Sequence, residues 1–354
     1  MSTATKSVAS AYDAILIVGF GGPEGRDDVI PFLENVLRGR PVPRERMLEV
    51  AEHYYHFDGV SPINGQVRAL IAALKPELGS IGVDLPIYWG NRNWAPMLGE
   101  TVREMAEAGV ERALGVVLSA YSSYSGCRQY REDILKAREA FGPGAPAIDK
   151  MRVFYNHPDW VAVNAAKVRD ALGQVPADRR EASLLVFTAH SIPDSMAANC
   201  NYERQLRETC RLVAEAAGVG VDRRSLAYQS RSGRPTDPWL GPDILGHLAD
   251  LRARGARDVV VQPVGFLSDH MEVMFDLDEE ARLKADEIGL NMVRAATAGT
   301  DPEFVAMLGE LIRERITAGP ERRAIGQYPA SHDVCPVDCC LPPPRPPQRP
   351  AATG

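Results

Sequence analysis

The chain has 354 residues, 45% hydrophobic and 25% charged, enough for two domains or one large α/β unit. A formal net charge of -7 argues against a nucleic-acid binder, which carries a basic footprint. No apolar run approaches the roughly 18 residues of a transmembrane segment, and residues 1–7 lack a signal-peptide core, so a cytoplasmic protein is expected.

Residues 1–11 read as a disordered lead-in. An apolar run at 14–18 reads as a buried strand, followed by the loop Gly19-Phe20-Gly21-Gly22-Pro23-Glu24-Gly25. Asp27 or Asp28 can cap a helix beginning near Val29. Strand, glycine loop and helix invite a dinucleotide reading. The spacing is not Gly-x-Gly-x-x-Gly, however, and no strand ending in an acid follows about 20 residues on. The basic loop Arg38-Gly39-Arg40-Pro41 suits anionic groups or a surface turn. A helix over 45–57 ends in His53, Tyr54, Tyr55 and His56. Ser61 is an N-cap candidate with Pro62 at the first helical position, and such a helix start also attracts anions.

A strand at 85–90, a helix at 96–108 and a strand at 113–118 follow. The polar, aromatic run 119–130, ending at Tyr130, reads as a wall for a large flat ligand or as an ordinary packed loop. A helix at 130–140, a short strand near 151–155 and a helix at 159–173 complete the first half. In the second half, the run 184–190 ends on His190, and Pro193 stops the pattern. A helix at 201–217, a strand at 226–230, a helix at 243–254 and a strand at 258–264 follow. Gly265-Phe266-Leu267-Ser268-Asp269-His270-Met271-Glu272 then opens a helix, and the last helix spans 302–317.

This alternation predicts parallel sheets with helices on both faces. Ligands bind beyond the carboxyl ends of such strands, so His190, His270 and Glu272 are expected in one cleft. Glu272, Asp276 and Glu280 recur every four residues on one helical face, as a solvated row or a path for a divalent cation. His190 with Glu272 makes a mixed nitrogen and oxygen site suited to Fe²⁺, Zn²⁺, Co²⁺ or Ni²⁺. Two protein ligands hold a metal weakly, which fits a metal that is a substrate.

Past Gly319 the chain becomes Cys- and Pro-rich, with a Pro-rich end that should not pack. For six cysteines in a cytoplasmic chain, metal or redox chemistry is a better expectation than a disulfide framework. Cys335, Cys339 and Cys340 can converge on an iron–sulfur cluster or zinc, with a fourth ligand from Cys127, Cys200 or Cys210.

Several stretches together carry a resemblance. They are Gly21-Gly22-Pro23, Arg38-Gly39-Arg40, Gly59-Val60-Ser61-Pro62, Ala189-His190-Ser191-Ile192-Pro193, Tyr228-Gln229-Ser230, Pro238-Trp239-Leu240-Gly241-Pro242 and the 265–272 segment. In this order they resemble the ferrochelatases, enzymes that insert Fe²⁺ into a porphyrin. The resemblance implies an α/β fold of two similar Rossmann-like, chelatase-type domains, with boundaries at 12–180 and 181–320, a tail at 321–354 and the porphyrin in the cleft between the domains. It implies His190 and Glu272 as catalytic iron-site residues and Asp276 and Glu280 as a metal path. It also implies porphyrin contacts from Phe20 in the first loop, Ser61 and Tyr130, with Arg38 and Arg40 as anion-binding candidates.

Gly90-Asn91-Arg92-Asn93-Trp94 and Tyr124-Ser125-Gly126-Cys127-Arg128-Gln129-Tyr130 are similar to the actinobacterial branch, whose members act on coproporphyrin III. Some of that branch carry a [2Fe–2S] cluster, which implies Cys335, Cys339, Cys340 and Cys127 as its ligands here. Phe20 stands where other coproporphyrin enzymes have an axial Tyr. The expected reaction is Fe²⁺ insertion into coproporphyrin III in haem biosynthesis, with transient contacts to neighbouring haem-pathway enzymes. His190, neutral near pH 7, would accept a pyrrole proton or ligate iron. Protoporphyrin IX insertion, a non-catalytic metalloporphyrin carrier and an NAD-dependent oxidoreductase are the alternatives.

Overall fold

Apolar runs alternate with amphipathic stretches, and the computed structural model, which describes residues 11–39, 42–232, 236–317 and 319–342, turns them into strands separated by one or more helices. The first half comprises β1 (Ala14–Gly19), α1 (Val29–Leu37), α2 (Arg44–His56), α3 (Ile63–Ser80), β2 (Ile87–Asn91) and α4 (Leu98–Glu107). It continues with β3 (Arg112–Val117), α5 (Gln129–Phe141), β4 (Ala147–Lys150) and α6 (Pro158–Gln174). The second half comprises β5 (Leu184–His190), α7 (Asp194–Ala197), α8 (Tyr202–Ala216), β6 (Arg224–Gln229), α9 (Ile244–Ala253) and β7 (Asp258–Gln262). It ends with α10 (Met271–Val273), α11 (Arg282–Glu287), β8 (Asn291–Arg294) and α12 (Pro302–Ile316).

The strands form two parallel four-stranded sheets, ordered β2-β1-β3-β4 and β6-β5-β7-β8. One wiring is therefore used twice. In each sheet the chain steps from the first strand to one side, then crosses to the other, so the order reverses between β1 and β3 and again between β5 and β7. Ligand crevices open at such reversals. β1 is wholly buried, and so is β7, which explains why both read as continuous apolar runs.

The sheets share one core. α6 leaves the first half and packs on α8, α12, β7 and β8, while α12 returns to pack on α3. Trp160, Phe154 and Phe304 meet at ring-centroid distances of 5.7 to 6.3 Å in this joint. Beside them Arg152 makes a bidentate pair with Glu314 at 2.8 and 2.9 Å, both side chains buried.

Several expected elements shift. β4 lies at Ala147–Lys150 rather than 151–155: Met151, Val153, Phe154 and Tyr155 are buried apolar coil where the chain leaves the sheet for α6. β8 is a strand the sequence reading lacked, since Asn291-Met292-Val293-Arg294 shows too little apolar character. Asp28 does not cap α1 through its side chain; its carboxylate accepts from the Glu24 N–H at 3.0 Å. α3 starts at Ile63 with Pro62 as its cap, so Ser61 lies one residue outside the expected position, and its N–H donates to the Pro23 carbonyl at 2.9 Å. The helix expected from His270 is interrupted by a π-helical segment, Met274–Ala281. No helix of the described residues is long and apolar enough to cross a membrane. Residues 1–10, Arg40 and the Pro-rich end from 343 lie outside the described residues.

Candidate active site

The end of β5 and the loop after β7 meet at the reversal point of the second sheet. The fit is tight: a Cβ on Gly265 would lie 2.6 Å from the Ala189 Cα and Cβ, so glycine is required for this approach. His270 caps α10, its Nδ1 accepting the Glu272 N–H at 3.2 Å. His270 is thereby committed to the backbone, and His190 is the histidine that faces Glu272. His190 Nδ1 is hydrogen-bonded to the Ser191 carbonyl, which leaves Nε2 directed at Glu272 Oε1, 3.5 Å away. Tyr202 fixes the strand end by donating to the His190 carbonyl at 3.0 Å.

Burial by itself would push His190 down, but the Glu272 carboxylate and the Ser191 carbonyl outweigh it and raise it to about 9. Burial likewise opposes charge on Glu272, yet the His190 imidazolium holds it at about 2. The resting pair is therefore imidazolium and carboxylate, which corrects the expectation of a neutral His190. The two side chains keep 34% and 45% of their surface exposed, so the pair is open to an incoming ion. Asp276 sits behind it. Burial pushes Asp276 up to about 7, against the Ser230 hydrogen bond and with help from the Glu272 and Glu280 charges. Ser230 itself adopts a φ of 60°, a region that side-chain-bearing residues seldom occupy. Gln229 Nε2 donates to the Glu272 carbonyl at 2.8 Å and ties β6 to the same segment. Glu280 is raised by burial and by Asp243. The π-helical turn carries Asp276 and Glu280, so the three acids follow wider spacing than an α-helical row while remaining within charge contact.

The opposite wall comes from the first half. Phe20, at the end of β1, is 36% exposed and meets Phe32 edge-on at 6.2 Å. Behind it Arg92 stands 5.8 Å from the Phe20 ring and 5.1 Å from the Tyr130 ring, and pairs with Asp133 at 3.1 Å. Tyr130 is buried, and the rest of the 119–130 run is largely structural: Tyr121 donates to the Val264 carbonyl at 2.9 Å and Ser122 to Gln205, joining the two halves. Arg38 is exposed and bonded to Asn35; Ser61 is buried beside Gly22. α2 reaches across the mouth: the His53 ring stacks on Phe275 at 3.8 Å, and His56 Nε2 lies 3.8 Å from Glu279. Tyr54 on the same helix is pushed up by burial and by the Glu272 and Asp276 charges. Asp133 carries no sequence signal, Arg92 is marked only by its place in the 90–94 motif just past a strand end, and Tyr54 only by its place near the end of the 45–57 helix.

The tail is ordered where it carries its cysteines. Cys127, Cys335, Cys339 and Cys340 line one pocket with Arg128, Arg131 and Lys150. All four are free thiols. Cys339 Sγ and Cys340 Sγ lie 3.6 Å apart, and Cys127 lies beside Cys335, which helps to raise its thiol. Two close pairs of thiols form a donor set that fits a [2Fe–2S] group, which takes two sulfurs per iron. Cys200 instead directs its thiol to the Ala197 carbonyl, and Cys210 is buried on α8. His332 Nε2 lies 3.9 Å from Cys339 Sγ, at the rim.

A ferrochelatase family profile matches residues 12–316. The chain is 55% identical to a ferrochelatase of Rhodopirellula baltica over 97% of this chain and 96% of that one. It is 50% identical to a coproporphyrin III ferrochelatase of Streptomyces coelicolor, over 98% and 97% respectively. It is 49% identical to one of Nocardia farcinica, over 97% and 99%. Among solved structures, SirB from Bacillus subtilis with Fe³⁺ shares the fold with a TM-score of 0.54 at 14% identity, covering 86% of this chain and 95% of that one. The two similarly wired sheets are thus a chelatase architecture, and the chain belongs to the ferrochelatase family.

Proposed function

We propose that this chain inserts Fe²⁺ into coproporphyrin III, two pyrrole protons leaving as the metal enters. The observation that carries the reading is the His190–Glu272 pair, open to solvent at the β5/β7 reversal with Asp276 behind it. The relatives named coproporphyrin III ferrochelatase support the choice of porphyrin.

The chemistry follows from charge. An arriving Fe²⁺ is attracted to the Glu272 carboxylate and repels the imidazolium, so the His190 Nε2 proton departs. Asp276, near 7, is the group behind the pair able to exchange a proton at neutral pH. The freed Nε2 then takes the two pyrrole protons in turn, each passing outward along Glu272, Asp276 and Glu280 to solvent; where Nε2 ligates iron instead, the Glu272 carboxylate takes them by the same path. Phe20 offers the product no axial oxygen, so it serves as an apolar face for the ring. Arg38, Arg40 and Ser61 bind propionates, and Tyr130 supports the wall through Arg92. Residues 12–180 and 181–320 act as two Rossmann-like domains. Cys127, Cys335, Cys339 and Cys340 would hold a [2Fe–2S] cluster, which would tie the tail to the body.

Anaerobic Fe²⁺ insertion, followed at the Soret band with coproporphyrin III and protoporphyrin IX in parallel, tests the reading. Loss of a charge-assisted propionate contact is worth roughly tenfold or more, so kcat/KM should favour coproporphyrin III by at least that factor. A preference for protoporphyrin IX would overturn the substrate, and no turnover with either would overturn the enzymatic reading.

A further inference from the structure

The four thiols do not converge through sulfur contacts alone. The segment bearing Cys335, Cys339 and Cys340 is irregular and is gripped through its main chain. Arg128 Nη1 donates to the carbonyls of Val337 and Cys339 at 2.8 and 2.9 Å. Arg131 Nη1 donates to those of Cys335 and Pro336, each at 3.4 Å. Both guanidiniums line the thiol pocket, yet the hydrogen bonds described for them there end on carbonyls, not on sulfur. Arg128 is itself held by Glu132 at 2.8 Å, and Glu132 accepts from the Tyr124 hydroxyl at 3.1 Å. Cys127 immediately precedes Arg128, so the turn that contributes the body thiol also fixes the three tail thiols. Four carbonyls within five residues are thus bound by two guanidinium forks, so the tail's main chain is held at its cysteines by contacts that involve no sulfur.

We propose that Arg128 and Arg131 are the positioning residues of the thiol site, docking the tail backbone so that three tail sulfurs face Cys127. The proposal rests on the cluster reading for its ligand, but the docking itself does not. Tail order is the direct consequence: without the forks the strap loses its anchor at the cysteines, and the sulfurs no longer share a pocket.

The test uses the full chain, purified without oxygen, as wild type, R128Q/R131Q and Cys340→Ser. Iron, acid-labile sulfide and the visible cluster bands are measured first. The rate of maleimide labelling of the tail cysteines is then read after chelator treatment. R128Q/R131Q should hold about tenfold less iron and sulfide at limiting supply and label about tenfold faster, as for loss of charge-assisted hydrogen bonds. Cys340→Ser should lose the cluster while Cys335 and Cys339 still label slowly, because the docking is intact. A wild-type chain without iron or sulfide would remove the cluster reading, and the labelling contrast would still decide the docking. Wild-type labelling rates in R128Q/R131Q, or a wild-type cluster content there, would overturn the proposal. If the double variant does not fold, R131Q alone carries the same comparison.

Discussion

His190→Ala should lower Fe²⁺ insertion by roughly 10²–10⁴-fold, the range of a positioned acid–base group, while coproporphyrin III affinity changes far less. His190 Nε2 is the nitrogen that faces Glu272, because Nδ1 is engaged by the Ser191 carbonyl and His270 is used as a helix cap. Removing the imidazole also removes the charge that holds Glu272 at about 2, so the oxygen donor loses support together with the nitrogen. The porphyrin wall of Phe20, Phe32 and Arg92 lies on the other half and does not lean on His190. Insertion is read at the Soret band and affinity by porphyrin fluorescence. Insertion within a few-fold of wild type would remove His190 from the chemistry, and a parallel loss of porphyrin affinity would make it a binding residue only.

Acid should destabilise the fold through His157 by roughly 2–3 kcal/mol at pH 4.5 relative to neutral pH. His157 is fully buried at the start of α6, where its Nδ1 accepts the Asp159 N–H at 3.3 Å. The proton therefore sits on Nε2, which has no hydrogen-bond partner and lies 3.7 Å from Glu310. Burial lowers His157 to about 4; Asp159 opposes this, and the Arg152 and Arg323 charges add to it. Arg323 pairs with Asp159 at 2.8 Å and with Glu310 at 2.5 Å, which weakens the pull of these carboxylates on an imidazolium. In the unfolded chain the ring protonates below about 6.5, whereas in the fold it stays neutral until about 4. Stability is thus unaffected by this group above about 6.5 and falls as pH drops from there towards 4. His157→Asn retains a cap acceptor and does not titrate. Urea unfolding at pH 7.5 and 4.5 should show the wild type losing roughly 2–3 kcal/mol more than the variant. Equal losses would show that His157 is not the group responsible.

Much of this architecture is legible in the residues because parallel strands covered on both faces must be apolar throughout, as in β1, β5 and β7. The polar residues that end them then stand out, which is how His190 and Glu272 are found without coordinates. What is not legible depends on contacts distant in sequence. β8 is a strand because β7 offers it a partner, not because Asn291-Met292-Val293-Arg294 has strand character. The π-helical turn at Met274–Ala281 has no sequence period of its own. The charge on His190 follows from the 3.5 Å approach of a residue 82 positions away, and the order of the tail follows from Arg128 and Arg131 on another element. Tyr121 and Tyr130 look like ligand-facing aromatics in sequence, but burial and the Val264 and Arg92 contacts make them part of the frame.

The most direct test of the account is where the iron goes. Crystals of the full chain, soaked anaerobically in Fe²⁺ without porphyrin, should give an anomalous peak at the iron edge between His190 Nε2 and the Glu272 carboxylate, with weaker density towards Asp276. Iron bound elsewhere on the body, with the His190–Glu272 pair intact and empty, would contradict the account.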